Sequence, residues 1–340
     1  MEHQWHTDTI WLNTAQSGIP PHTAHTALTH AINAWHTGTA PINDWNTATH
    51  TTRTRFAHLI NAPTTDITLG ASAGQLFTTL AASLPQNAQV LLPEGEFTSA
   101  LFPFQAQHHR GITTTTAPLH ALADHITDRT TLVVYSPVQS ADGRLAPTEQ
   151  ILTAARTHHT LVAIDATQAA GWYPLKATDY DALICSAYKW LMAPRGLALA
   201  YTSPTLRQHL NPIHAGPTAS ADPARSFYTD HFTPAPDARA LDLSPNWLAA
   251  VAAVPALDAL LHHGIEHIHA HNTALTDRFR AHLDLPPAGS AITTIDLPNA
   301  TPTLRRAGIQ TTERQGRTRL SFHPYNTETE VDLATKTLTT

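Results

Sequence analysis

The stretch 161–196, LVAIDATQAAGWYPLKATDYDALICSAYKWLMAPRG, holds two short apolar runs separated by a polar connection. LVAIDA carries no polar residue before Asp165, which reads as a strand buried on both faces, as in a parallel sheet covered by helices. DALICSAY is a second run of the same kind. Alternating strand and helix folds hold their ligands at the carboxyl ends of the strands. Asp165 closes the first run, while Ser186 and Lys189 follow the second, so a carboxylate, a hydroxyl and an amine are expected at one edge. A carboxylate there can hold a cation, and a lysine amine can condense with a carbonyl carbon.

Working outward, further strand-like runs are DITLGA (66–71), QVLLPEGE (89–96), GITTTT (111–116), TLVVYSPV (131–138) and GLALAYT (196–202). They alternate with helical patterns, QLFTTLAASL, LHALADHI and PTEQILTAARTHH. The alternation predicts an α/β fold with a largely parallel sheet and helices on both faces. Gly70, Ala71, Ala73 and Gly74 form a small-residue turn before a helix, where free backbone N–H groups and the helix dipole attract an anion such as a phosphate. The segment 214–240 is rich in Pro, Ala and small polar residues and reads as an irregular active-site or interface loop. AITTIDLP and TRLSFHP read as strands of a smaller unit, giving a large domain at 1–245 and a small α/β domain at 246–340.

On these residues the chain resembles the class V aminotransferase group of fold type I enzymes, which includes cysteine desulfurases, kynureninase, isopenicillin epimerase-like proteins and C–S lyases. The group's pattern of Asp, two variable residues, His or Gln, then Ser-x-His-Lys-Trp and a Gly-Pro-x-Gly turn is matched by Asp165, Gln168, Ser186, Lys189, Trp190, Pro194 and Gly196. Tyr188 stands in place of the usual His and Ala193 in place of a Gly. The resemblance implies a seven-stranded sheet in which GLALAYT runs antiparallel, pyridoxal 5'-phosphate (PLP) as cofactor, and an amino-acid substrate joined to it as an imine. Lys189 is then the Schiff-base lysine and general base. Asp165 keeps the pyridine nitrogen protonated, Gln168 contacts the ring oxygen, and Phe97 of EGEFTSALFPF stacks on the ring. The Ser72, Ala73 and Gly74 turn, with Ser186, binds phosphate. Ser140 replaces an Asn expected near the cofactor hydroxyl. Ser244 of RALDLSPNW reaches the phosphate of a partner subunit in a homodimer with shared sites, and is also a candidate N-cap for the helix that follows. TRLSFHPYNTETEVD implies that Arg319 grips the substrate carboxylate, with Arg317 an available neighbour, and Asn13 is grouped with Arg319 as substrate-binding. Transamination, β-elimination and epimerisation all begin from these residues, so the reaction stays open between aminotransferase or C–S lyase, an epimerase of the same fold, and a non-catalytic relative.

Composition narrows the partners. Lys and Arg number 20 against 26 Asp and Glu, a formal net charge of -6, which offers no basic surface for nucleic acid or anionic membrane. The first residues, MEHQWHTDTI, lack the apolar core of a signal peptide, and WLAAVAAVPALDALL is interrupted by Pro255 and Asp258, so a cytoplasmic protein is expected. The one cysteine, Cys185, lies within an apolar strand, which argues against desulfuration through a mobile thiol. Histidines number 24 and are spread along the chain, so LHHGIEHIHAHN reads as a solvated helix face and no metal site is expected.

Overall fold

A computed structural model describes residues 4–339. In chain order the elements are β1 (Ile10–Trp11), α1 (His22–His36), α2 (Ile42–Leu59), β2 (Ile67–Gly70), α3 (Ala73–Ser83), β3 (Gln89–Pro93), α4 (Thr98–Gln105), β4 (Thr113–Ala117), β5 (Leu132–Tyr135), α5 (Thr148–Thr157) and β6 (Leu161–Asp165). They continue through β7 (Ala182–Ser186), β8 (Ala198–Thr202), α6 (Pro204–Arg207), α7 (Trp247–His263), α8 (Ile265–Ala281), β9 (Ile292–Ile295), α9 (Ala300–Arg306), β10 (Ile309–Gln310), β11 (Thr312–Arg314), β12 (Arg317–Ser321) and α10 (Glu328–Thr339).

Seven strands form one sheet in the order β2-β8-β7-β6-β5-β3-β4. Only β8 is reversed, pairing antiparallel with β2 and β7, and the other pairs are parallel. All seven runs read from the sequence are these strands. Because side chains alternate across a pleated strand, each of the five inner strands feeds two cores. Leu91, Val133, Tyr135, Val162, Ile164 and Leu183 pack on one face with Phe56 of α2, Ile151 of α5 and Leu257 of α7. Val90, Leu92, Leu132, Val134, Ala163 and Ile184 pack on the other with Phe77 of α3 and Phe104 of α4. Burial on both faces is why the inner strands read as apolar runs, whereas the edge strand β4, TTTTA, is largely exposed.

LHALADHI differs from its helical reading: Leu119–His125 is a 3-10 helix, entered after Pro118. The segment 214–240 is irregular, with only short 3-10 turns at Pro217–Ala219, Pro223–Arg225 and Ala238–Leu241. A buried ion pair pins its end to the large sheet. Asp242 accepts from Arg53 of α2 at 2.5 Å and from the backbone N–H of Leu69 in β2 at 2.8 Å. The helix after Pro245 begins at Trp247, and its N-cap is Asn246, whose Oδ1 accepts from the Ala249 N–H at 3.2 Å. Ser244 is exposed and does not cap it, because Pro245 and Asn246 lie between it and the first turn. No single helix among the described residues is long and apolar enough to cross a bilayer.

The C-terminal sheet has the order β11-β12-β9 and packs Ile295 and Leu320 against Phe279 of α8, Leu304 of α9 and Val331 of α10. Leu12 joins this core, and β1 pairs with β10, so the N-terminal strand is tied to the C-terminal unit.

Candidate active site

Five strand ends converge at one edge of the large sheet. β2 leads into the start of α3, β3 leads to Phe97, β5 to Ser136 and Ser140, β6 ends on Asp165, and β7 ends on Ser186 just before Lys189. Ala73, Phe97, Ser140, Asp165, Gln168, Ser186 and Lys189 line one cleft there, with Ser99, Ser136, Thr167 and Tyr188.

Lys189 is buried, with Nζ 5.3 Å from the centre of the Phe97 ring and 5.8 Å from that of Tyr188. Burial pulls its amine down to about 8, with Asp165 opposing the shift and Arg319 and Arg314 adding to it. The backbone before it is clamped by the N-terminal segment, where the Gly18 N–H donates to the Tyr188 carbonyl at 3.0 Å. A Cβ at Gly18 would fall 2.0 Å from the Lys189 carbonyl oxygen, so only glycine fits. Beyond Lys189, Trp190 is sealed in the core, and the buried His323 donates from Nε2 to its carbonyl at 3.1 Å. Burial pushes that imidazole down to about 3, so it stays neutral. Ala193, where the class V group has Gly, avoids positive φ, whereas Met192 takes it (φ 55°), so alanine is accommodated.

Asp165 is buried at the end of β6, and Oδ1 accepts from the Thr167 N–H at 2.9 Å. Burial holds its carboxyl above the usual range, and the bonds from Thr167 and the charge of Lys189 offset this only in part. A buried carboxylate is costly without a cation against it, and a protonated ring nitrogen would be one. Glu96 is a second buried carboxyl, held up by burial, and its oxygens accept from the Phe97 and Ser136 N–H groups, the Ser136 hydroxyl and the Gln139 amide. The Phe97 ring is 43% exposed, leaving a face free for a flat partner.

The Trp190 indole, a donor only, gives its proton to Gln168 Oε1 at 2.8 Å, which fixes the orientation of that amide. Gln168 Nε2 then donates to the Ala15 carbonyl at 3.0 Å and to Ser140 Oγ at 3.1 Å, so both its hydrogens are engaged. Gln168 thus has no hydrogen left for the ring oxygen it was expected to contact, whereas Ser140 accepts there and keeps its own proton to give.

At the start of α3 the Ala73 N–H donates to Ser186 Oγ at 3.2 Å. Ser72 is exposed at the rim, and its Oγ serves as N-cap, accepting from the Gln75 N–H. Gly74 lies beside Ser99. Arg319 is 1% exposed, and its Nη1 donates to the Ser140 carbonyl. Its Nε and Nη2 have no partner, which leaves one planar edge of a buried guanidinium unpaired. Arg317, its neighbour in sequence, is exposed. Asn13 does not line the cleft; it accepts from the Thr312 hydroxyl at 2.5 Å, across the strand from Arg319. Ser244 is exposed and is not among the residues that line this cleft.

Thr167 and Arg314 escaped the sequence reading. Thr167 receives the Ser186 N–H on its hydroxyl at 3.0 Å and so joins β6 to β7, a role its place between Asp165 and Gln168 could have signalled. No motif marks Arg314.

Comparison with known proteins gives this geometry a lineage. A model of the family described as Aminotransferase class-V matches residues 23–294. The chain belongs to that family. It is therefore a PLP-dependent enzyme, and the buried Lys189 and Asp165, the free Phe97 face and the α3 cradle fit that cofactor. An uncharacterized aminotransferase of Bacillus subtilis, YcbU, is 24% identical over 320 residues, covering 84% of this chain and 83% of that protein. Isopenicillin N epimerase of Amycolatopsis lactamdurans is 29% identical over 235 residues, covering 60% and 58%. Among solved structures, a C-DES variant with glycine linked to its PLP superposes with a TM-score of 0.90 at 18% identity, over 99% of this chain and 98% of that one. The cysteine desulfurase of Thermococcus onnurineus superposes with a TM-score of 0.85 at 16% identity, over 97% and 93%. At such identities the superpositions speak for the fold.

Proposed function

We propose that this class V enzyme carries out aminotransferase or C–S lyase chemistry on an amino acid whose α-carboxylate is held by Arg319. The observation that carries the reading is the unpaired Nε and Nη2 edge of Arg319, buried beside the cleft that holds Lys189. A guanidinium fork matches a carboxylate through two parallel hydrogen bonds and sets its orientation. Bound PLP supplies an electron sink for charge developing at the substrate α-carbon. With PLP bound, Asp165 would face the ring nitrogen, Ser140 would offer its proton to the ring oxygen, and Ala73 with Ser186 and the start of α3 would hold the phosphate. Lys189, lowered to about 8, removes the α-proton and returns it. Phe97, across from it, has no proton to give, which favours chemistry run from one base over epimerisation by two.

Cys185 takes no part. It is fully buried in β7, its thiol donates to the Ser186 carbonyl, and burial pushes its pKa up. The active unit is a homodimer with shared sites, for which the exposed Phe227, Tyr228 and Phe232 on the 214–240 segment supply apolar surface and the exposed Ser244 a group for the neighbour's phosphate. Incubation with a panel of amino acids tests the reading, with assays for keto acids, sulfide and pyridoxamine phosphate. Product from an amino acid, with none from its decarboxylated amine, is expected. Equal turnover of the amine would remove the carboxylate anchor.

A further inference from the structure

The C-terminal sheet turns one polar face to the cleft. In β12, Arg319 lies opposite Thr312 of β11, and Arg317 opposite Arg314. Directly opposed residues point to the same side, as do alternate residues along a strand. Arg314, Arg317 and Arg319 therefore share a face, the one from which Arg319 reaches Ser140; Arg317 is exposed and lines a separate pocket beside Asp142 and Arg144. The opposite face carries Ile295 and Leu320 into the small core.

Arg314 is half-buried, and its Nη1 donates to the carbonyl of its own neighbour Glu313 at 2.8 Å. Among the described residues no carboxylate pairs with Arg314 or Arg319, whereas the buried Arg53 is paired with Asp242 and the half-buried Arg207 with Asp66. The charge of Arg314 is felt by Lys189 and by Arg319, lowering both. Two guanidinium groups on one sheet face beside a partly desolvated cleft repel each other, and the cost is relieved when anions enter. One α-carboxylate satisfies the unpaired edge of Arg319. The phosphate cradle is built from α3 and β7 of the large sheet, leaving Arg314 unanswered.

We propose that Arg314 is a specificity residue that receives a second anionic group, carried on the substrate's side chain, so that the preferred substrates are amino acids with an acidic side chain. The proposal rests on Arg319 as the α-carboxylate anchor. A distal carboxylate is the simplest such group.

Binding of unreactive acids to the PLP-loaded protein tests it. Calorimetric titrations compare succinate, glutarate and adipate with butanoate, pentanoate and hexanoate. A charge-assisted pair makes at least one dicarboxylate bind about tenfold or more tightly than the monocarboxylate of its length. Arg314→Gln and Arg314→Met, two variants in case one misfolds, bring that dicarboxylate down to the level of the monocarboxylate. Arg319→Gln weakens both acids together. No preference for any dicarboxylate in the wild type, or a preference kept in a folded Arg314 variant, overturns the proposal alone. Undiminished monocarboxylate binding in Arg319→Gln overturns the anchor itself, and the proposal with it.

Discussion

At the scale of single residues, burial moves several ionisable groups, and Lys189 and Asp165 among them give measurable results. The folded chain brings the Lys189 amine down from 10.5 to about 8, so the neutral, nucleophilic form appears above pH 8. Stripped protein given PLP is expected to turn yellow at a rate that climbs through pH 8 and levels off by about pH 9. A rate still climbing steeply at pH 10 would mean that the amine is not buried as described. Borohydride should then fix the cofactor to Lys189, and an adduct mapped to Lys176 would refute the assignment. Asp165→Asn should retain PLP and lose turnover tenfold or more, since the charge-assisted bond it removes is worth roughly 1.5 to 3 kcal/mol. Near-normal kcat in that variant would place the ring-nitrogen partner elsewhere.

At the scale of elements, β7 and the 237–242 segment make opposite predictions. Cys185→Ala removes a thiol from a strand whose catalytic contribution comes from Ser186 and Lys189. Activity should persist with a modest loss of melting temperature; complete loss with PLP still bound would reopen sulfur transfer. Asp242→Ala leaves Arg53 buried without its partner and the Leu69 N–H without an acceptor. Breaking a buried pair in this way costs about 3 to 5 kcal/mol, read as a lower urea midpoint. An unchanged midpoint would show that the segment is not held through Asp242.

At the scale of the whole molecule, the cleft is open on the side where Phe97 is exposed, and Ser244 lies at the surface with no role in its own chain's site. A partner subunit that closes this side also excludes water from the reacting atoms. Sedimentation should therefore give a dimer. In dimers mixed from Lys189→Ala and Ser244→Ala chains, the intact Lys189 receives the unaltered Ser244 of its partner, so that site should hold PLP more tightly than the sites of the Ser244→Ala homodimer. A fully active monomer would end the shared-site reading.

The seven strands and the edge where Asp165, Ser186 and Lys189 meet were legible in the chain itself, whereas the reversal of β8 followed only from the family resemblance. Strands buried on both faces must be unbroken apolar runs, and a strand end is marked by its first polar residue. The unpaired edge of Arg319 was half legible. Its motif pointed to it, but Arg317 became the weaker choice only when one side chain proved buried and the other exposed. Other features depend on contacts between residues far apart in sequence. Trp190 sets the Gln168 amide, Gly18 is pressed against the Lys189 carbonyl, β1 is paired with β10, and Arg314 shares a face with Arg319 through strand register. Local pattern records which face of an element is buried. Which distant group it is buried against is decided only when the sheet, the N-terminal segment and the small C-terminal unit close on one another.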